Sequence, residues 1–137
     1  VLSRTNFLYP GIALLLLISF GNGYGYATDT TKINWHEWNT KSFQQAKDQH
    51  KLILIDVGTE WCGACQMMDW FTYTDAKVIE LVNKHFGAIQ VDTELQPDIG
   101  EQYSSWGWPA TIFISPSAIQ VNELAGNRVP ENFIPIL

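Results

Sequence analysis

The chain has 137 residues, a net charge of −6, and a composition that is 46% hydrophobic and 16% charged. That length predicts one domain, and the balance suits a packed core and excludes a disordered chain. The eight basic residues are scattered, which excludes a nucleic-acid partner, because phosphate binding needs clustered Lys and Arg.

Residues 1–27 read as a signal peptide. Arg4 supplies a short positive region, and Phe7 to Phe20 is almost wholly apolar around Leu14, Leu15, Leu16 and Leu17. Turn-prone residues follow, ending in the small-x-small sequence Gly25-Tyr26-Ala27, where cleavage is expected. The alternative is a retained anchor, but a span needs about 20 apolar residues, and Pro10-Gly11 interrupts this run. No cysteine lies near the cleavage site, so no lipid anchor is expected there. Residues 28–137 are then a periplasmic or secreted domain with no stable membrane insertion after cleavage.

Trp35 to Trp38 leads into a helix over Thr40 to Gln49, with Phe43 and Ala46 on its apolar side. Leu52 to Val57 is a buried strand, ended by Gly58-Thr59. A helix starts near Cys62 and carries Met67, Met68 and Phe71. Asp75 caps a helix that runs through Asn83, with Val78, Ile79 and Val82 on one face. Ala88 to Val91 is a second buried strand, and Pro97 opens a short helix to about Ser104. Thr111 to Ser115 and Ile119 to Leu124 form an antiparallel hairpin turned by Pro116-Ser117. Gly126-Asn127 ends it. Glu131 to Leu137 begins a last helix that is short for a closing element. The alternation predicts an α/β fold with a mixed central sheet of about four to five strands flanked by helices.

The chemistry sits in Trp61-Cys62-Gly63-Ala64-Cys65, between a strand and a helix. A bond between cysteines three residues apart closes a tiny loop and removes little chain entropy, so it is a poor staple. Cys62 falls at a helix N-terminus, where free N–H groups favour an anion. It is expected to be the more exposed and more acidic thiol, and thiolates are the nucleophiles of disulfide exchange. Cys65 lies one turn on. Three other readings compete. Structural zinc takes four protein ligands, yet there is no second such pair and no paired spacing among His36, His50 and His85. Covalent haem needs His after the second cysteine, where Gln66 stands. A merely structural pair remains.

Leu54 through Cys65 resembles the active-site segment of the thioredoxin superfamily, and Gly107-Trp108-Pro109-Ala110-Thr111 resembles its second signature. Asp75-Ala76-Lys77-Val78 and Val91-Asp92 look most like the periplasmic thioredoxin-like domain of membrane disulfide interchange (reductase) proteins. The resemblance runs from about Ile33 to Leu137. It implies a thioredoxin-like fold and a thiol–disulfide oxidoreductase that reduces or exchanges protein disulfides. It implies catalytic roles for Cys62 as attacking residue, Cys65 as resolving residue and Asp56 as a buried proton acceptor, with a solvated strand-end acid as the alternative for Asp56. It also implies that Cys62 and Cys65 form a redox-active disulfide and that Pro109 follows a cis bond.

No bound cofactor is implied, since the cysteine pair carries the electrons. The implied partners are a substrate protein disulfide and an upstream redox protein. Gly63-Ala64 departs from the Gly-Pro of typical thioredoxin, which leaves the potential open. Trp108 is bulkier than the aliphatic residue usual before the proline. Trp61 and Trp108 are assigned to the substrate surface with Pro109, with packing as the alternative for Trp108. Trp35, Trp38 and Trp70 read as core or edge packing, Met67 and Met68 as helix packing, and Glu94 and Asp98 as a solvated loop face. A non-catalytic binding module, or an oxidase or isomerase of the same fold, is the competing function.

Overall fold

A computed structural model of the protein describes residues 29–137, so the signal-peptide reading lies outside the described residues. Strand β1 (Trp35–Glu37) precedes helix α1 (Thr40–Asp48), and β2 (Leu52–Gly58) follows. Helix α2 (Gly63–Met67) continues as a π-helical turn over Met68–Thr72. Next come α3 (Ala76–His85), β3 (Phe86–Asp92) and α4 (Pro97–Tyr103) with a 3-10 turn at Ser104–Trp106. Strands β4 (Ala110–Ile114) and β5 (Gln120–Ala125) form the hairpin, and α5 (Pro130–Phe133) ends in a 3-10 turn at Ile134–Ile136.

The five strands form one mixed sheet in the order β1-β3-β2-β4-β5. Strand β2 is central, parallel to β3 and antiparallel to β4. Its side chains alternate between two apolar layers. Leu54 faces the layer built with Met68, Val78, Val82 and Phe133. Ile53, Ile55 and Val57 face the layer built with Ala46, Tyr103 and Ile112. Helices therefore cover both faces, and the C-terminal end of β2 delivers the cysteine loop to the sheet's edge.

Two expectations need correction. Trp35–Glu37 is a strand pairing Trp35 with Ala88 in β3, not a lead-in to a helix. Three residues are too few to show the period-two pattern that marks a strand. Trp70 is 64% exposed rather than packed, and Met67 and Phe71 point outward with it. The inward residues of this stretch are Cys65, Met68 and Thr72, spaced three and four apart. At about 100° per residue that places Trp70 on the opposite, outer side of the helix.

The Asp75 carboxylate caps α3 as expected, accepting from the Lys77 and Val78 amides at 2.9 and 3.0 Å. Asp75→Ala leaves both donors without that partner. It is expected to destabilise the fold by about 1 kcal/mol, measured as a lower urea midpoint at unchanged slope.

Candidate active site

Strand β2 ends at Gly58, where Cys65 packs against the bare backbone. A Cβ on Gly58 would meet the Cys65 Sγ at 3.0 Å. The chain then turns through Thr59, Glu60 and Trp61, closed by the Cys62 amide donating to the Thr59 carbonyl at 3.1 Å. Cys62 occupies the cap position of α2, and its Sγ accepts the Cys65 backbone N–H at 3.2 Å. That donor is one of the free amides of a helix start. Cys62 and Cys65 lie at disulfide-bonding distance, their Cα atoms 5.2 Å apart. They are 9% and 8% exposed, so position at the helix start, not exposure, separates the two sulfurs in this state.

Asp56 is buried two residues before Gly58, on the sheet face that holds Leu54. The Tyr73 hydroxyl donates to its Oδ1 at 2.9 Å, and the Gln90 side-chain amide donates to its Oδ2 at 3.3 Å. Burial pushes the carboxyl up to about 6, against the pull of those hydrogen bonds. The nearby charge of Asp69 pushes the same way as burial. Asp69 is itself raised, chiefly by partial burial. Burial and the Asp56 charge lift the Tyr73 hydroxyl well above its usual range. Asp56 is therefore not a solvated strand-end acid. Its midpoint of about 6 lies below neutral pH, and it lines one cleft with Cys65.

Tyr73, Gln90 and Asp69 were not legible as site residues. Gln90 pairs with Asp56 in the β2–β3 register, but that register is not visible before the strands are aligned. Glu94 needs a correction too. It is not merely solvated, because its Oε1 accepts the Trp61 indole N–H at 2.6 Å, which ties the cysteine loop to the β3–α4 loop. Trp61 otherwise stands in solvent. Trp108 is half-buried against the core layer that also takes Trp106. The Trp108–Pro109 bond is cis. Pro109 immediately precedes Ala110, which pairs with Val57 in β2, and its carbonyl accepts the Gly126 amide at 2.9 Å. Neither Trp108 nor Pro109 lines the Asp56 cleft. Among the described residues no cluster of His, Cys, Asp and Glu is placed to hold a metal ion. Among them also, no helix is long and apolar enough to cross a membrane.

Comparison with known proteins agrees with this geometry. The family model described as Thioredox_DsbH, "Protein of unknown function, DUF255", matches residues 17–128. An uncharacterized protein of Caenorhabditis elegans, B0495.5, is 33% identical over 92 residues, 61% of this chain and 13% of its own length. The chain thus spans about an eighth of that relative and of spermatogenesis-associated protein 20, which it matches over 12%. An H-type thioredoxin of Fagopyrum esculentum is 34% identical, over 69% of this chain and 77% of its own. The thiol:disulfide interchange protein DsbD of Pseudoalteromonas atlantica is 29% identical, over 66% of this chain and 16% of its own. In structure, a thioredoxin from Thermus thermophilus superposes with a TM-score of 0.68 at 22% identity, over 77% of this chain and 84% of its own. The chain belongs to the Thioredox_DsbH (DUF255) family and is a thioredoxin-like domain with a Cys-x-x-Cys pair at disulfide distance.

Proposed function

We propose that the protein is an exported reductase of protein disulfides. The observation that carries this reading is a cysteine pair at a helix start, with a buried carboxyl raised to about 6 in the cleft that Cys65 lines. The Cys62 thiolate attacks one sulfur of a substrate disulfide. A bond forms between Cys62 and that sulfur, and the other substrate sulfur leaves as a thiolate. Asp56 takes the proton of Cys65, either directly or through a water. The Cys65 thiolate then attacks the Cys62 Sγ, which releases the second substrate thiolate and closes the Cys62–Cys65 disulfide. Two electrons pass from the dithiol to the substrate, so the sulfurs are the only redox store needed. A second dithiol protein then reduces the pair, and the likeness to DsbD supports such a donor.

In this reading Trp61 and Trp108 serve as substrate surface, and Pro109 sets the backbone edge at the start of β4. An extended substrate segment can pair there as an added strand. The signal-like residues 1–27 support export.

Cys65→Ser tests this reading. The variant retains the attacking sulfur and lacks the resolving one. It is expected to accumulate covalent adducts with partner proteins in cells, released by reductant. Absence of adducts would favour the binding-module reading. The reduction potential separates reductase from oxidase: a value near the thioredoxin end of the roughly −270 to −120 mV span is expected. In the reduced protein Cys62 is expected to alkylate first, with a pKa below about 8.5. Preferential labelling of Cys65 would reverse the assignment.

A further inference from the structure

The cleft beside Cys65 has an unusual lining. Glu37 from β1, Glu60 from the β2–α2 loop, Asp69 from the π-turn and Asp92 from the end of β3 all border it. No Lys, Arg or His is among its lining residues. Other described cations stand elsewhere. Lys41 and Lys51 line the groove between β1 and α1, Lys47 faces the opposite side of α1, and Lys77 and Lys84 lie on α3. The cleft wall also carries two large apolar side chains open to solvent, Trp70 and Leu95, the latter 80% exposed.

Acid clusters on a surface are ordinarily just solvated. A separate observation points to a ligand here. Thr59 lines the same cleft, is 5% exposed, and its hydroxyl has no hydrogen-bond partner among the described residues. Buried polar groups are almost always paired, so this hydroxyl is placed for a polar group that enters the cleft. Carboxylates beside an open indole are also the chemistry that holds a cation. They offer charge-assisted hydrogen bonds, the Trp70 ring offers a cation–π face, and Leu95 can cover the aliphatic stem of a Lys or Arg.

Resting on the redox reading above, we propose that this cleft docks a basic segment of the substrate protein, in which Lys or Arg flanks the disulfide to be reduced. Thr59 bonds a polar group of that segment, and the four carboxylates take its side-chain charge. The cleft thereby selects among disulfides by the residues beside them.

The test uses the reduced full chain and three synthetic peptides that share one internal disulfide flanked by Arg, Gln or Glu. An uncharged small disulfide, 2-hydroxyethyl disulfide, serves as a fourth probe. At low ionic strength the Arg peptide is expected to react about tenfold faster than the Gln peptide, with the Glu peptide slowest. The differences should shrink in 0.5 M salt, where the Debye length is only a few ångströms. Glu60→Gln combined with Asp92→Asn should bring the Arg-to-Gln ratio close to one. Glu80→Gln combined with Glu101→Gln, on α3 and α4, removes the same charge away from the cleft and should leave the ratio in place. Equal rates for the three peptides overturn the proposal while leaving the redox reading intact, as does a ratio lowered equally by both double variants. Failure to react with any of the four probes overturns the redox reading and the proposal with it.

Discussion

Asp56→Asn is expected to make the protein more stable and less active at the same pH. A carboxyl held near 6 in the fold, against 3.8 in the ordinary chain, costs about 3 kcal/mol when it is ionised in the core. The sign follows from the two midpoints. Below pH 3.8 the group is protonated in both states and costs nothing. Between 3.8 and about 6 the unfolded chain ionises while the native state keeps its proton, so stability falls as pH rises. Above that window the full cost is present. Asparagine carries no charge, and its oxygen can still accept from the Tyr73 hydroxyl. The variant should therefore gain about 2–3 kcal/mol at pH 7.5 and nearly nothing at pH 4. Urea denaturation at the two pH values reads this directly, and an equal gain at both would mean that burial is not the cause.

The kinetic effect runs the other way. A base must be ionised to accept the Cys65 proton, so resolution of the mixed disulfide should rise with pH through about 6 in the parent protein. In Asp56→Asn that limb should vanish, with resolution slowed on the order of a hundredfold near neutral pH. The trapped intermediate reports this step separately from binding. Resolution at the parent rate would reduce Asp56 to a structural role. The destabilising cost of an ionised carboxylate is thus tied to the property that makes it useful as a base.

The elements that carry the chemistry were the ones most open to sequence reading. Leu52 to Val57 is a short apolar run with β-branched residues, and the cysteine pair begins four residues after Gly58. That order alone puts Cys62 at a helix start. The Asp75 cap and the Pro116-Ser117 turn follow from equally local chemistry. What stayed hidden depends on tertiary placement. Strand β1 is three residues long and exists because β3 offers it a partner. Cys65, Met68 and Thr72 take the inward side of the helix after the cysteine loop and leave Trp70 outside, a phase that is fixed only once the helix is seated on the sheet. Tyr73 and Gln90 reach Asp56 from 17 and 34 residues away, and nothing in their local sequence marks them as its donors. Glu94 looked like one more solvated acid because its partner, Trp61, lies 33 residues earlier.

Phe133→Ala is expected to produce the largest loss of stability among the variants considered. Phe133 is fully buried in the layer that Leu54, Met68 and Val82 share. Its ring meets the Tyr73 ring edge-on, with centroids 6.0 Å apart. Truncation removes the transfer free energy of the ring and leaves a cavity under the sheet, at a cost of about 3–5 kcal/mol. A domain of this size has only about 5–15 kcal/mol in total, so a large part of its stability rests on this one side chain near the end of the chain. Phe133→Leu retains most of the volume and should cost less than half as much.

The consequence reaches the active site. Tyr73 is clamped between Phe133 and Trp35, whose ring lies 5.0 Å away, and the hydroxyl so positioned is the one that bonds Asp56. Loosening the clamp weakens a hydrogen bond that favours the charged carboxylate, so Asp56 should titrate above its parent value of about 6 in Phe133→Ala. Tyr73→Phe removes the same bond while keeping the ring, and should raise the Asp56 midpoint with a smaller loss of stability. Denaturation gives the first quantity, and NMR titration of the Asp56 carboxyl carbon gives the second. A loss below about 1 kcal/mol in Phe133→Ala would show that the layer repacks around the gap. An unmoved midpoint in both variants would show that the Tyr73 hydroxyl does not set the proton affinity of Asp56.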